Sequence, residues 1–142
     1  MSAPNLNRDV LEVTCAVIWR QGKLLLAQRA GNGLWELPGG KAEPGEPLSA
    51  CLARELAEEL AVTAQVGPCL ATQEGFTPEG RPLRLHAFAC RLGRQRPLAL
   101  EHRALVWHGV DQALELELCP ADRSLIKRLN AAGDLDNSDN GW

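Results

Sequence analysis

The chain has 142 residues, 45% of them hydrophobic and 23% charged, with a formal net charge of −3. That length holds one domain with a real core, and the mild acidity argues against a nucleic-acid partner, which calls for a basic face. No apolar run nears the roughly 20 residues that cross a bilayer, and the N-terminus MSAPNLNRDV lacks a signal-peptide core, so a cytoplasmic protein without a membrane partner is expected.

Residues 1–10 read as a loose arm, 11–132 as a single domain, and 133–142 (GDLDNSDNGW from Gly133) as a disordered acidic tail. Leu11–Trp19 is a continuous apolar run rich in β-branched residues and predicts a largely buried strand. Gln21-Gly22 turns it into a second strand, Lys23–Arg29. After the loop Ala30–Gly33, a short strand at Leu34–Leu37 delivers Pro38-Gly39-Gly40. Pro44-Gly45 makes a turn. Pro47 suits the first turn of a helix, where its missing N–H is harmless, and that helix runs from about Pro47 to Leu60. Val62–Glu74 reads as a strand interrupted at Gly67-Pro68, residues 75–81 as a loop, and Pro82–Leu92 as the next strand. The basic turn with Arg91, Arg94 and Arg96 has no interleaved aromatics and reads as solvated rather than phosphate-binding. Ala104–Val110 is the last strand, Asp111 caps a short helical stretch, and Asp122–Asn130 forms a helix after Pro120. This order gives an α+β fold or a mixed-sheet sandwich. Cys15, Cys51, Cys69, Cys90 and Cys119 form no CxxC pair and read as reduced, buried small hydrophobes rather than zinc ligands.

The helix carries the chemistry. Spacings of three and four residues put Glu55, Glu58 and Glu59 on one side, beside the apolar stripe Leu48, Leu52 and Leu56. Four residues after Glu55, where a stabilising base would stand, is Glu59, a like charge; only Arg54, four before Glu58, offsets the crowding. A charged face on a surface helix is the plain alternative. Carboxylates crowded against a core otherwise call for a cation, and an all-oxygen donor set favours Mg²⁺ or Mn²⁺.

Upstream, Gly40 is followed by Glu46 and then by Arg54-Glu55, Leu56, Glu58-Glu59 and Val62. This resembles the Nudix hydrolase signature: Gly, five residues, Glu, seven residues, Arg-Glu, an aliphatic, any residue, Glu-Glu, any residue, Gly, an aliphatic. One position departs, because Ala61 stands where the pattern has Gly. The segments AVIWRQGKLLLAQRA, LWELPGGK, LHAFAC, EHRALVW and PAD extend the resemblance from about Leu11 to Leu129, toward the MutT-type branch that includes bacterial CTP pyrophosphohydrolases.

The resemblance implies an α/β/α sandwich with a mixed sheet between helices, and hydrolysis of a nucleotide phosphoanhydride. It implies metal ligation by Glu55, Glu58, Glu59 and the Gly40 carbonyl, with Glu101 approaching from a distal loop. Glu55 is the candidate for orienting or deprotonating water, Glu59 the runner-up, and Arg54 the partner that steadies the carboxylates. Glu46 supports the site or simply favours the helix N-terminus. Arg29 and Lys41 are the candidates for nucleotide and phosphate contact. Asp122 falls where MutT carries the Asn that reads 8-oxoguanine; an ionised Asp lacks the amide's donor, so a pyrimidine or a broad range is favoured over strict 8-oxo-dGTP use. Leu37 replaces an aromatic, leaving Trp35 or Phe88 as stacking candidates. His102, His86 and His108 read as structural or exposed. The expected activity is conversion of a nucleoside triphosphate to the monophosphate and pyrophosphate, by a monomer or homodimer. The alternatives are a Nudix hydrolase of ADP-ribose or a dinucleoside polyphosphate, and a non-catalytic nucleotide sensor on the same scaffold.

Overall fold

The computed structural model describes residues 10–135. The expected arm and most of the expected tail lie outside that range, but Gly133–Leu135 belong to the packed body: Leu135 is buried against the core. The strands are β1 (Leu11–Arg20), β2 (Lys23–Gln28), β3 (Trp35–Glu36), β4 (Gly39–Lys41), β5 (Gln65–Phe76), β6 (Pro82–Arg91) and β7 (Ala104–His108). The helices are α1 (Leu48–Leu60), α2 (Val110–Leu114) and α3 (Pro120–Ala131).

The strands run β3-β2-β1-β6-β5, with β4 paired to β1 and β7 to β2. β1 and β6 are parallel, from Leu11 opposite Leu83 to Ile18 opposite Cys90, and the other pairings are antiparallel. Alternation along β1 then divides the core. Cys15 and Val17 join Leu125, Ile126 and Leu129 of α3, while Ala16 and Ile18 join Leu52, Leu56 and Leu60 of α1. Helices thus cover both faces of a mixed sheet, the expected α/β/α sandwich.

The early pairing of β1 positions the site. Its second half meets β2 through the Gln21-Gly22 turn, where both residues adopt positive φ. Its first half meets β4, with Cys15 opposite Gly39 and Thr14 opposite Gly40. A three-residue strand of Gly-Gly-Lys carries no periodicity, so β4 has no sequence signal; its partner's exposed backbone groups create it.

Several boundaries differ from expectation. Pro47 is not the first helical residue but the extended N-cap (φ −61°, ψ 141°). Val62 is buried under α1 rather than starting β5, which opens at Gln65. The Gly67-Pro68 interruption appears as register shifts on either side of Cys69, and these turn that thiol outward, so Cys69 is exposed. Asp111 does not cap α2: Gly109 is the N-cap and Asp111 lies inside the first turn.

Candidate active site

Two adjacent glycines place the acidic helix against the sheet. A Cβ on Gly39 would overlap the Thr14 carbonyl and backbone, so that glycine permits β4 to lie on β1. A Cβ on Gly40 would instead overlap the Glu55 carboxyl group, so that glycine leaves room for a functional side chain. The Thr14 hydroxyl donates to the Gly40 carbonyl at 3.1 Å from a buried position. At the far end of α1, Ala61 takes the left-handed conformation (φ 58°, ψ 40°) that the resemblance assigns to Gly. An L-residue pays roughly 1 kcal/mol for that geometry, and the turn forms regardless.

Arg54 gathers the acids. It donates to both oxygens of Glu46 (Nε 2.8 Å, Nη2 2.9 Å) and to Glu55 (2.8 Å), with Glu58 at 3.6 Å. This pairing, more than the helix end, accounts for Glu46, and it holds the Glu46 carboxyl well below the usual carboxylate range. Glu58 is the most open of the acids, with its side chain 54% exposed.

Glu59 is different. It is 7% exposed, and its Oε1 is buried without a hydrogen-bond partner. Burial, then Glu55 beside it, then Glu36 and Glu101 raise its pKa strongly. The segment after β6 delivers the last of these: Leu98 and Leu100 donate backbone N–H groups to the Leu60 and Glu59 carbonyls at 2.9 and 3.1 Å. Carbonyls left open by the helix end are thereby satisfied, and Glu101 and His102 come to rest next to Glu59. His102 is not exposed: its side chain is 7% accessible, Nε2 lies 2.9 Å from Glu36 and Nδ1 lies 3.9 Å from Glu59 Oε1. His86 bonds Glu12 (2.7 Å) and Thr72 (3.1 Å) away from this cluster, and the His108 ring meets the Trp107 carbonyl.

A cavity of about 250 Å³ opens beside Gly40 and is lined by Arg29, Glu36, Leu37, Phe76, Leu85 and Asp122, among others. Asp122 is 7% exposed and accepts the Leu37 N–H at 2.9 Å through Oδ2. Burial, aided by the charge of Glu36, pushes its pKa up to about 8. Burial thus favours the protonated form, the state in which an Asp presents both a donor and an acceptor. Phe88 faces the α1 side of the core and Trp35 packs against the α3 side, so neither lines the cavity. The aromatic at its mouth is Phe76, 60% exposed. Lys41 opens onto a separate groove with Glu12, Glu43 and Arg81.

The model of the NUDIX domain matches residues 10–129. The chain belongs to the Nudix family. It is 42% identical over 126 residues to the CTP pyrophosphohydrolase of Escherichia coli K12, covering 86% of this chain and 93% of that protein. A Mycobacterium tuberculosis protein provisionally named 8-oxo-dGTP diphosphatase 2 is 38% identical over 128 residues, covering 82% and 86%. The solution structure of the E. coli ORF135 protein superposes with a TM-score of 0.75 at 41% identity, over 87% and 93% of the two chains. The crystal structure of a MutT protein from Methanosarcina mazei gives 0.77 at 26%, over 87% and 95%.

This Nudix protein is a hydrolase of nucleotide phosphoanhydrides, in a family that uses divalent metals such as Mg²⁺. Among the described residues, no three acids, imidazoles or thiols converge as a closed ion cage; the Glu46–Arg54–Glu55 pairing draws the helix acids toward Arg54 instead. The donor chemistry still fits a hard divalent ion. All donors are oxygens, one is buried and unpartnered, and Gly40 is kept bare beside Glu55. Sequence reasoning missed Glu36, Thr14 and Phe76. The first stands in the LWELPGGK segment, and its position just before Pro38-Gly39-Gly40 was the available signal.

Proposed function

We propose that this Nudix hydrolase is a Mg²⁺- or Mn²⁺-dependent nucleoside triphosphate pyrophosphohydrolase, releasing a nucleoside monophosphate and pyrophosphate. The observation that carries this reading is the buried, unpartnered Glu59 oxygen among Glu55, Glu36 and Glu101. An acid packed this way is costly when ionised, and a cation beside it offsets that cost. Glu55, Glu59, Glu58 and the Gly40 carbonyl would hold that cation, with Glu101 closing from its loop. When bound, it supplies neutralisation of phosphate charge and acidification of water.

The protein's own groups do the rest. Glu55 accepts the proton of the attacking water, and Arg54, tied to Glu46, keeps that carboxylate at a fixed height on the helix. Arg29 faces the nucleotide from the cavity wall, where its guanidinium can meet phosphate or base oxygens. Leu37 and Leu85 cover the base, and Asp122 hydrogen-bonds its edge. A protonated Asp122 suits a base edge that combines donor and acceptor, so both CTP and oxidised purine triphosphates belong in the substrate range. The relatives named for CTP and for 8-oxo-dGTP support that range. We place the enzyme in the cytoplasm, acting on free nucleotides.

The test is a panel of canonical, oxidised and methylated ribo- and deoxyribonucleoside triphosphates with Mg²⁺, measuring pyrophosphate and phosphate separately. Pyrophosphate from CTP or an oxidised triphosphate is expected. Preferential release of AMP from ADP-ribose, or of mononucleotides from dinucleoside polyphosphates, overturns the substrate assignment and leaves the hydrolase class intact.

A further inference from the structure

The loop between β6 and β7, which carries Glu101, has little apolar grip on the fold. Arg94, Arg96, Leu98, Ala99, Leu100 and Glu101 are all exposed, the two leucines by more than half. Hydrogen bonds hold the loop instead. Arg20, whose guanidinium lies over the Trp107 ring at 5.0 Å, donates to the carbonyls of Gly93 at 3.0 Å and Gln95 at 2.8 Å. Farther on, the Leu98 and Leu100 N–H groups reach the Leu60 and Glu59 carbonyls. Between these ties stands Gln95, half-buried. Its Oε1 accepts the Thr63 N–H at 2.8 Å, and its Nε2 donates to the carbonyls of Thr63 and Leu92, each at 2.8 Å. A side-chain amide offers an acceptor and two donors in one plane, so Gln95 pairs with Thr63 as a neighbouring peptide group would. Thr63 lies just beyond Ala61, the C-cap of the helix that holds Glu59.

We propose that Gln95 is a positioning residue: its amide clasps the β6–β7 loop to the end of α1 and thereby sets Glu101 beside Glu59. The inference rests on the assignment of Glu101 to cation binding given above. Residues that orient a ligand from behind typically change metal affinity or activity by about 10–100-fold.

Hydrogen exchange of the metal-free full chain tests the clasp itself. In the unmodified protein the Thr63, Leu98 and Leu100 amides should exchange slowly. Gln95→Ala should speed all three by about 10-fold or more, while the Leu56 amide inside α1 keeps its rate. Gln95→Glu keeps the acceptor but loses both donors, and it should speed Leu98 and Leu100 as well. A double-mutant cycle with Glu101 then separates positioning from general support of the fold. With Mg²⁺, kcat is expected to fall about 10-fold or more in Gln95→Ala and at least as far in Glu101→Gln. In the double variant, Gln95→Ala should cost no more than about 2-fold beyond Glu101→Gln.

Losses that multiply in the double variant overturn this inference alone. So does an unchanged kcat in Gln95→Ala beside a loss in Glu101→Gln, free exchange at Leu98 and Leu100 in the unmodified protein, or exchange there that neither Gln95 variant alters. An unchanged kcat in Glu101→Gln removes the assignment of Glu101 to the cation, and this inference with it.

Discussion

Glu59 and Asp122 are both buried carboxyl groups near Gly40, and they have opposite fates. Each is 7% exposed, and burial is the leading cause of the raised pKa in both. Asp122, on α3, is satisfied from inside the fold by the Leu37 N–H. Glu59, on α1, has an oxygen that no protein group satisfies. On the proposed function, burial cost is met in two ways: by a backbone donor where Asp122 shapes the base pocket, and by a bound cation where Glu59 stands.

The sharpest way to break the comparison is Glu59→Gln. If its missing partner is a cation, turnover should fall by about 10³-fold or more, with the metal-free fold retained; steady-state kinetics with pyrophosphate detection beside a thermal melt would show it. Gly40→Ala comes next. The new methyl group must displace the Glu55 carboxyl, and misplacement of about 1 Å at a reacting group costs around 10²-fold in kcat. Gly39→Ala, one residue earlier, meets the β1 backbone instead and should fail as a fold, visible as a lost or lowered Tm.

Asp122→Asn probes the other acid. The folded pKa of about 8 lies above the ordinary 3.8, so the folded state binds the proton more tightly. The stabilisation from that proton is complete below about pH 3.8 and is lost as pH rises through about 8. Wild-type stability should therefore decline from neutral to mildly alkaline pH, and the Asn variant should flatten that slope in denaturant titrations at a series of pH values. Its amide still accepts from Leu37, so activity should change with the base offered rather than collapse.

The smallest expected effect is Ala61→Gly. Relief of the left-handed alanine should stabilise the chain by about 0.5–1 kcal/mol and raise Tm by a few degrees, with kcat unchanged.

Sequence reasoning reached the long elements because their periodicities are local. Of the expected α1 stripe, Leu52 and Leu56 are buried in the core and Leu48 packs against it partly buried, and the continuous apolar run of β1 is buried through its middle. What escaped it is set by distant partners. β4 exists because β1 leaves backbone groups to pair, and the parallel β1–β6 register joins residues about 70 apart in sequence. In the site, the acid run and its Arg54 were legible from spacing. The Glu36–His102 contact was not, because it joins residues 66 apart and depends on how a loop docks on a helix end. The protonation of Asp122 stays open in the sequence for a related reason: burial decides it, and a sequence carries no burial for a single acid.

Calorimetric titration of Mn²⁺ into the wild-type protein, Glu59→Gln and Asp122→Asn tests the central contrast most directly. The account predicts that Asp122→Asn binds as wild type does and Glu59→Gln at least about 10-fold more weakly. Equal affinity in all of them, or a loss confined to Asp122→Asn, would contradict it.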